Sequence, residues 1–266
     1  MIHERQIGPV TQYKLVRRFW GRDIYSTAAY CVDGLLIDTG FDRVAEAFYD
    51  KTLDKKVRQI VNTHAHEDHV GANYLFELRR GLVAQVHPRG IPLILHPPRR
   101  LPIYRSFIWG LPKPARAESV GEVIESEKYA FRIIETPGHC SDHIGFYEPQ
   151  QGWFFGGDLF LGVGVKVLRK DESVHELIAS LKKVVQLPMQ IYFCGSGKIL
   201  RNPVEALNKK LHFMEDTSEK VRALRQKGWT LIQIRNHLLG REGFVTYVSQ
   251  GEFSKLNLVK GMLSNN

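Results

Sequence analysis

The sequence predicts an α/β protein with a helical C-terminal part. Three observations carry this. Between Tyr30 and Val86, apolar strand-like runs alternate in regular order with patterns at helical spacing. An apolar strand ending at an acid occurs twice, at Leu35-Leu36-Ile37-Asp38 and at Trp153-Phe154-Phe155-Gly156-Gly157-Asp158, which suits a fold built of two similar halves. From Pro203 onward helical spacing dominates.

Taken in order, residues 12–18 and 25–37 are expected as strands, with Asp33-Gly34 as a two-residue hairpin turn between Tyr30-Cys31-Val32 and Leu35-Leu36-Ile37. Phe41 to Lys51 has helical spacing, and Val57 to Val61 is the next strand. An amphipathic pattern (Leu75, Phe76, Leu78) follows, then a short strand, Leu82 to Val86. Residues 88–120 break the rhythm. Pro88, Pro92, Pro97, Pro98, Pro102, Pro112 and Pro114 forbid a long regular element, and Tyr104, Arg105, Phe107, Trp109 and Lys113 lie between them. A loop of this length within a compact domain is usually functional, so it is read as a lid or wall, with Tyr104, Arg105, Phe107 and Trp109 as candidate substrate-binding residues.

A meander of strands is expected at Gly121–Glu125, Phe131–Glu135, Ile144–Glu148 and Trp153–Gly156. Helix Ser173 to Gln186 follows, with Val174, Leu177, Ile178, Leu181 and Val185 on one face. Gln190 to Cys194 is a last strand, leading into Gly195-Ser196-Gly197. Helices are expected at about 203–226 and 231–239, the second capped by Thr230, and Gly243 to Gln250 fits a strand that would give a small winged-helix-like shape. The expected organisation is a body over 1–202, with 88–120 as a lid-like insertion, and a helical extension over 203–266 packed on it.

Composition sets the class. Hydrophobic residues at 43% and charged residues at 24% are ordinary for a soluble globular protein. No apolar run reaches the roughly 18 residues of a membrane span, and Met1-Ile2-His3-Glu4-Arg5 carries no apolar core of a signal peptide. Cys31, Cys140 and Cys194 do not form a disulfide framework. A cytoplasmic location is expected. The formal net charge of +9 favours anionic partners, either a small anionic substrate or nucleic acid.

The chemistry is concentrated in Asn62-Thr63-His64-Ala65-His66-Glu67-Asp68-His69-Val70-Gly71. Three histidines and an aspartate fall within six residues at the end of a strand. His64 and His66, at spacing two, can share one ion, while Asp68 and His69 turn toward a neighbouring position. Imidazole and carboxylate together suit zinc, and also manganese or iron.

The HxHxDH pattern resembles the signature of the metallo-β-lactamase superfamily of hydrolases. Further matches lie in the family's order: Leu35-Leu36-Ile37-Asp38-Thr39-Gly40 upstream, then Thr136-Pro137-Gly138-His139 with Asp142-His143, then Phe155-Gly156-Gly157-Asp158. The resemblance covers roughly residues 10–205 and implies a four-layer αβ/βα sandwich with metals at one edge of its two sheets. It implies that a first ion takes His64, His66 and His139, and that a second takes Asp68 and His69, with Asp158 bridging. Asp38 and His143 become outer partners of those ligands. One position departs from the pattern. Where the family usually ends its ligand set with a histidine, this chain reads Cys194-Gly195-Ser196-Gly197. The second ion then binds more weakly, or one ion binds alone, or a donor such as Cys194 substitutes.

The leading expectation is a binuclear or mononuclear zinc hydrolase in which a metal-bound hydroxide attacks an ester, thioester or lactone, with Asp68 orienting the nucleophile and moving its proton. The motifs are similar to those of glyoxalase II-like members. The alternatives are a ribonuclease or nucleic-acid phosphodiesterase of the same superfamily, supported by the basic charge, and a non-catalytic ligand-binding member, supported by Ser196.

Overall fold

The structure is a computed structural model and describes residues 1–264. Its chain divides into two compact units. The first comprises Met1–Glu135, Asp142–Asp158 and Met189–Arg201; the second comprises Thr136–Ser141, Leu159–Pro188 and the chain from Asn202 to its described end. The unit that holds the C-terminal helices therefore also takes in two earlier segments, whereas the sequence suggests one boundary at 202.

In the first unit, strands β1 (Ile2–Ile7), β2 (Val10–Phe19), β3 (Arg22–Val32), β4 (Leu35–Ile37), β5 (Gln59–Val61), β6 (Ala84–Val86) and β7 (Ala117–Ser119) form one sheet in sequence order. Pairing is antiparallel from β1 to β4 and parallel from β4 to β7. A second sheet has the order β14-β13-β11-β10-β9-β8, from β8 (Val123–Glu125), β9 (Ala130–Glu135), β10 (Ile144–Glu148), β11 (Trp153–Phe155), β13 (Ile191–Phe193) and β14 (Ile199–Leu200).

Side-chain alternation explains how the first sheet is covered on both faces. Ala28, Tyr30, Val32, Leu35 and Ile37 point into a core shared with Phe131, Phe146, Phe155 and Phe193 of the second sheet. Ala29, Cys31 and Leu36, one residue out of phase, point into a core shared with Phe48, Leu75 and Phe76. Those last residues belong to helices α1 (Ala45–Lys51) and α2 (Asn73–Arg80). The prolines of the insertion permit only short helices, α3 (Ile91–Leu95) and α4 (Ile103–Ile108), before β7.

In the second unit β12 (Leu168–Arg169) pairs antiparallel with β15 (Phe253–Ser254), and α5 (Val174–Val184) runs against α6 (Pro203–Gln226). That pairing is why the early segments cluster with the C-terminal ones. Ser173 caps α5 through the backbone N–H of Glu176, and Thr230 with Gln233 forms a capping box on α7 (Leu231–Leu238). The chain closes with α8 (Phe244–Val248) and α9 (Lys255–Leu263). The strand expected over Gly243–Gln250 is instead α8, where Phe244 and Tyr247 stand exposed. β-propensity depends on context, so its β-branched and aromatic residues do not dictate a strand. Among the described residues no helix is long and apolar enough to cross a membrane.

Candidate metal centre

Strands β4 and β5 are parallel neighbours with Ile37 opposite Val61, so the residues that follow them emerge side by side at one sheet edge. Asp38 stands there in the left-handed region, at φ 62°, held by its N–H to the Val61 carbonyl at 2.9 Å. Its carboxylate accepts from Thr63 N (2.8 Å), Thr63 Oγ1 (2.9 Å) and His69 Nδ1 (2.8 Å). The Thr63 hydroxyl, having donated to Asp38, accepts from His64 Nδ1 at 3.0 Å. One carboxylate thus engages two imidazoles through Nδ1, which leaves each Nε2 as the atom a metal would take.

The donors then converge. Ligand atoms of His64, His69 and Asp158 all lie within 4.8 Å of one another. His69 Nε2 is 3.4 Å from Asp68 Oδ2 and 3.6 Å from Asp158 Oδ1. It is buried with no hydrogen-bond partner among the described residues. A buried basic nitrogen facing two carboxylates at those separations fits a cation held between them. The field of the surrounding carboxylates favours a positive charge at this nitrogen, whether a proton or a metal ion. Burial works against charge on His69, but Asp68, Asp38 and Asp158 overcome it and raise its pKa well above the ordinary imidazole value. Burial likewise works against the Asp68 carboxylate, and His69 more than offsets it, holding its pKa low.

The ring of His66 stands nearly perpendicular to that of His64, with centroids 4.5 Å apart. His143 accepts the backbone N–H of Asp158 at Nε2 (3.1 Å), which orients the turn that carries Asp158. Gly157 in that turn has φ 47°, and a Cβ there would meet His143 Nε2 and Thr63 Oγ1, so this packing needs glycine. The first unit therefore assembles His64, His66, Asp68, His69 and Asp158 with Asp38 and His143 behind them. His139 belongs to the second unit, where its Nδ1 lies 2.6 Å from Glu172 Oε1. Ser196 follows Gly195, whose N–H bonds Gly157 and whose carbonyl accepts from Ala28 N, both at 2.7 Å. Its hydroxyl is buried with no partner among the described residues.

Four further groups hold these residues, of which Glu172, beside His139, is one. Tyr25 on β3 donates its hydroxyl to Asp68 Oδ2. Burial first, then Asp68, pushes its phenol well above the ordinary value, so Tyr25 remains a donor. Asp142 Oδ2 accepts from Ala65 N at 2.8 Å and pins the middle of the loop. Glu67, buried inside the HxHxDH run, takes a fork from Arg105 at 2.5 and 2.7 Å. The guanidinium of Arg105, a residue expected to bind substrate, is engaged with Glu67, and its Cζ lies 5.6 Å from the Trp109 ring centroid. Trp109 in turn meets Tyr25 edge-on at 5.3 Å and Tyr104 at 6.3 Å. Phe107 packs edge-on against Phe19 at 5.0 Å. The insertion thus braces the metal loop through α4.

The model of the metallo-beta-lactamase superfamily matches residues 27–196, which span both acid-ended strands and the histidine run. The chain belongs to the metallo-beta-lactamase superfamily. It is a metal-dependent hydrolase with that superfamily's α/β sandwich fold. A hydroxyacylglutathione hydrolase of Chelativorans sp. (strain BNC1) is 30% identical over 203 residues, covering 72% of each chain. An atrochrysone carboxyl ACP thioesterase of Aspergillus fumigatus is 28% identical over 183 residues, covering 66% of this chain and 51% of that protein. Among solved structures, a metallo-beta-lactamase family protein of Thermus thermophilus superimposes with a TM-score of 0.71 at 17% identity, covering 97% of this chain and 92% of that one.

Proposed function

We propose that this superfamily member hydrolyses thioesters of small acyl groups, and that His64, His66, His139, Asp68, His69 and Asp158 hold one or two zinc ions for that purpose. The same donors suit manganese or iron. The observation that carries the reading is the buried His69 Nε2, facing Asp68 and Asp158 with its other nitrogen locked by Asp38. The thioester class is supported by two relatives, a hydroxyacylglutathione hydrolase and an acyl-carrier-protein thioesterase. When bound, ions of this kind polarise a carbonyl and acidify water to a pKa of about 7.

The protein's own groups do the rest. Asp38 and Thr63 keep His64 and His69 in the tautomer whose Nε2 faces the site. Tyr25 holds one oxygen of Asp68, which fixes the plane of the carboxylate. Asp68 takes a proton from the attacking water. The water oxygen bonds to the acyl carbon, the C–S bond breaks, and the proton returns to sulfur, giving a carboxylic acid and a thiol.

The test is turnover of a panel comprising a hydroxyacyl-glutathione thioester, an acyl-coenzyme A, an oxoester and a lactone, before and after chelation. Thioester cleavage that disappears with chelator and returns with zinc is expected. Asp68→Asn is expected to lower kcat by about 10²–10⁴-fold, the range for removing a general acid–base group. Turnover of the oxoester or lactone with none of either thioester would overturn the substrate class.

A further inference from the structure

The second unit contains a continuous set of bonds that ends on His139. Gly138, with φ 127°, sits against Leu177 of α5, and its carbonyl accepts from Ser173 N at 2.8 Å. The Pro137 carbonyl accepts from Ser180 Oγ at 2.7 Å. These contacts fix the backbone on which His139 stands. Its ring is fixed by Glu172. Oε1 of Glu172 lies 2.6 Å from His139 Nδ1, and Oε2 accepts the backbone N–H of Arg169 at 3.0 Å. A carboxylate oxygen at that distance calls for a donor, so Nδ1 carries the hydrogen and Nε2 carries the lone pair.

Glu172 is itself held by the C-terminal segment. Its backbone closes a turn on Arg169, with N–H to O at 3.2 Å, and the buried Arg169 guanidinium is forked on Asp171 at 2.6 and 2.7 Å. Leu168 and Arg169 form β12, whose partner strand is β15, pairing Leu168 with Ser254 and Arg169 with Phe253. Lys170 N bonds the Glu252 carbonyl at 2.9 Å. The Asn257 side-chain amide joins β12 to the turn that leads into β15, reaching the carbonyls of Leu168 at 3.4 Å, Gly251 at 3.1 Å and Glu252 at 3.0 Å. Gly261 of α9 leaves room for Leu168 and Val174, either of which a Cβ at that position would strike.

We infer that Glu172 is the positioning residue for His139, and that the C-terminal strand Phe253–Ser254, clamped by Asn257, is the element that keeps Glu172 in place. The inference rests on the reading of His139 as a metal ligand. It gives the C-terminal segment a role in metal affinity without contributing a ligand of its own.

The experiment uses the full chain with Glu172→Ala, Asn257→Ala and His139→Ala. The tautomer of His139 is read from its ring nitrogen resonances by NMR in metal-free protein, and zinc affinity is read by competition with a chromophoric chelator. The wild type is expected to show one tautomer, with the hydrogen on Nδ1. Glu172→Ala is expected to release that preference and weaken zinc about 10–100-fold, the usual range for loss of an outer partner of a ligand. Asn257→Ala touches neither His139 nor Glu172 and is expected to act in the same direction, more weakly. A generally destabilised but unpositioned site would lose stability without any change of tautomer. An unchanged His139 tautomer in Glu172→Ala overturns the positioning role. Undiminished zinc affinity in His139→Ala overturns the ligand reading instead, and leaves the hydrogen bond standing.

Discussion

Ser196 is the residue where this chain parts from the ligand pattern it resembles. A hydroxyl is a weak, neutral donor beside imidazole, and this one is buried without a partner among the described residues. The turn around it is rigid, because Gly195 is bonded at both its N–H and its carbonyl. An imidazole placed there would start from a fixed backbone. Ser196→His is therefore expected to raise metal content per chain and to tighten the weaker ion by about tenfold or more, judged by elemental analysis and chelator competition. Unchanged content would mean that the turn does not aim at the ions. The residues legible in the sequence are those whose spacing reports chemistry directly, such as His64, His66, Asp68 and His69. Tyr25 and Glu172 are not legible, since their partners lie 43 and 33 residues away and no local pattern records such pairings.

At the scale of elements, α4 shows what a proline-rich insertion can do. It is too short to be stable by itself, yet it presents Arg105 to Glu67, and the residue after it, Trp109, meets Tyr25. The side chains of Arg105 and Glu67 are 15% and 6% exposed, so the pair is largely desolvated and neither partner can be lost cheaply. Arg105→Ala is expected to cost about 3–5 kcal/mol, the range for stranding one charge of a buried pair. Removing Glu67 as well should recover much of that loss in a double-mutant cycle read by denaturant midpoints, while Arg105→Lys should rescue poorly because it cannot fork. Additive losses would show that the two side chains act independently. The same scale separates the elements that composition betrays from those it hides. The Asp33-Gly34 hairpin and the apolar strands around it are visible as pattern. By contrast, β1 is not, because Ile2–Ile7 is an edge strand with its middle four residues exposed, so no apolar alternation marks it. The bracing role of α4 is equally hidden, since Arg105 and Glu67 are 38 residues apart and no local pattern pairs them.

At the scale of the whole molecule, 37 basic residues against 28 acidic ones give the formal charge of +9. The candidate metal centre has the opposite character, with Asp38, Asp68 and Asp158 gathered around His69. An anionic substrate approaching from solvent would thus be drawn by the surface field, and met by cations only at the end of its path. Such steering is a long-range effect and decays over a Debye length of about 10 Å at 0.1 M salt. Raising ionic strength should accordingly lower kcat/KM for a glutathione thioester several-fold, and more steeply for the more highly charged coenzyme A thioester. A neutral N-acetylcysteamine thioester of the same acyl group should be nearly insensitive, since its encounter involves no net charge. Equal salt dependence across the three would place the effect on metal binding or protein stability. A flat response in all of them would assign the basic surface to solubility and remove charge from the choice of substrate.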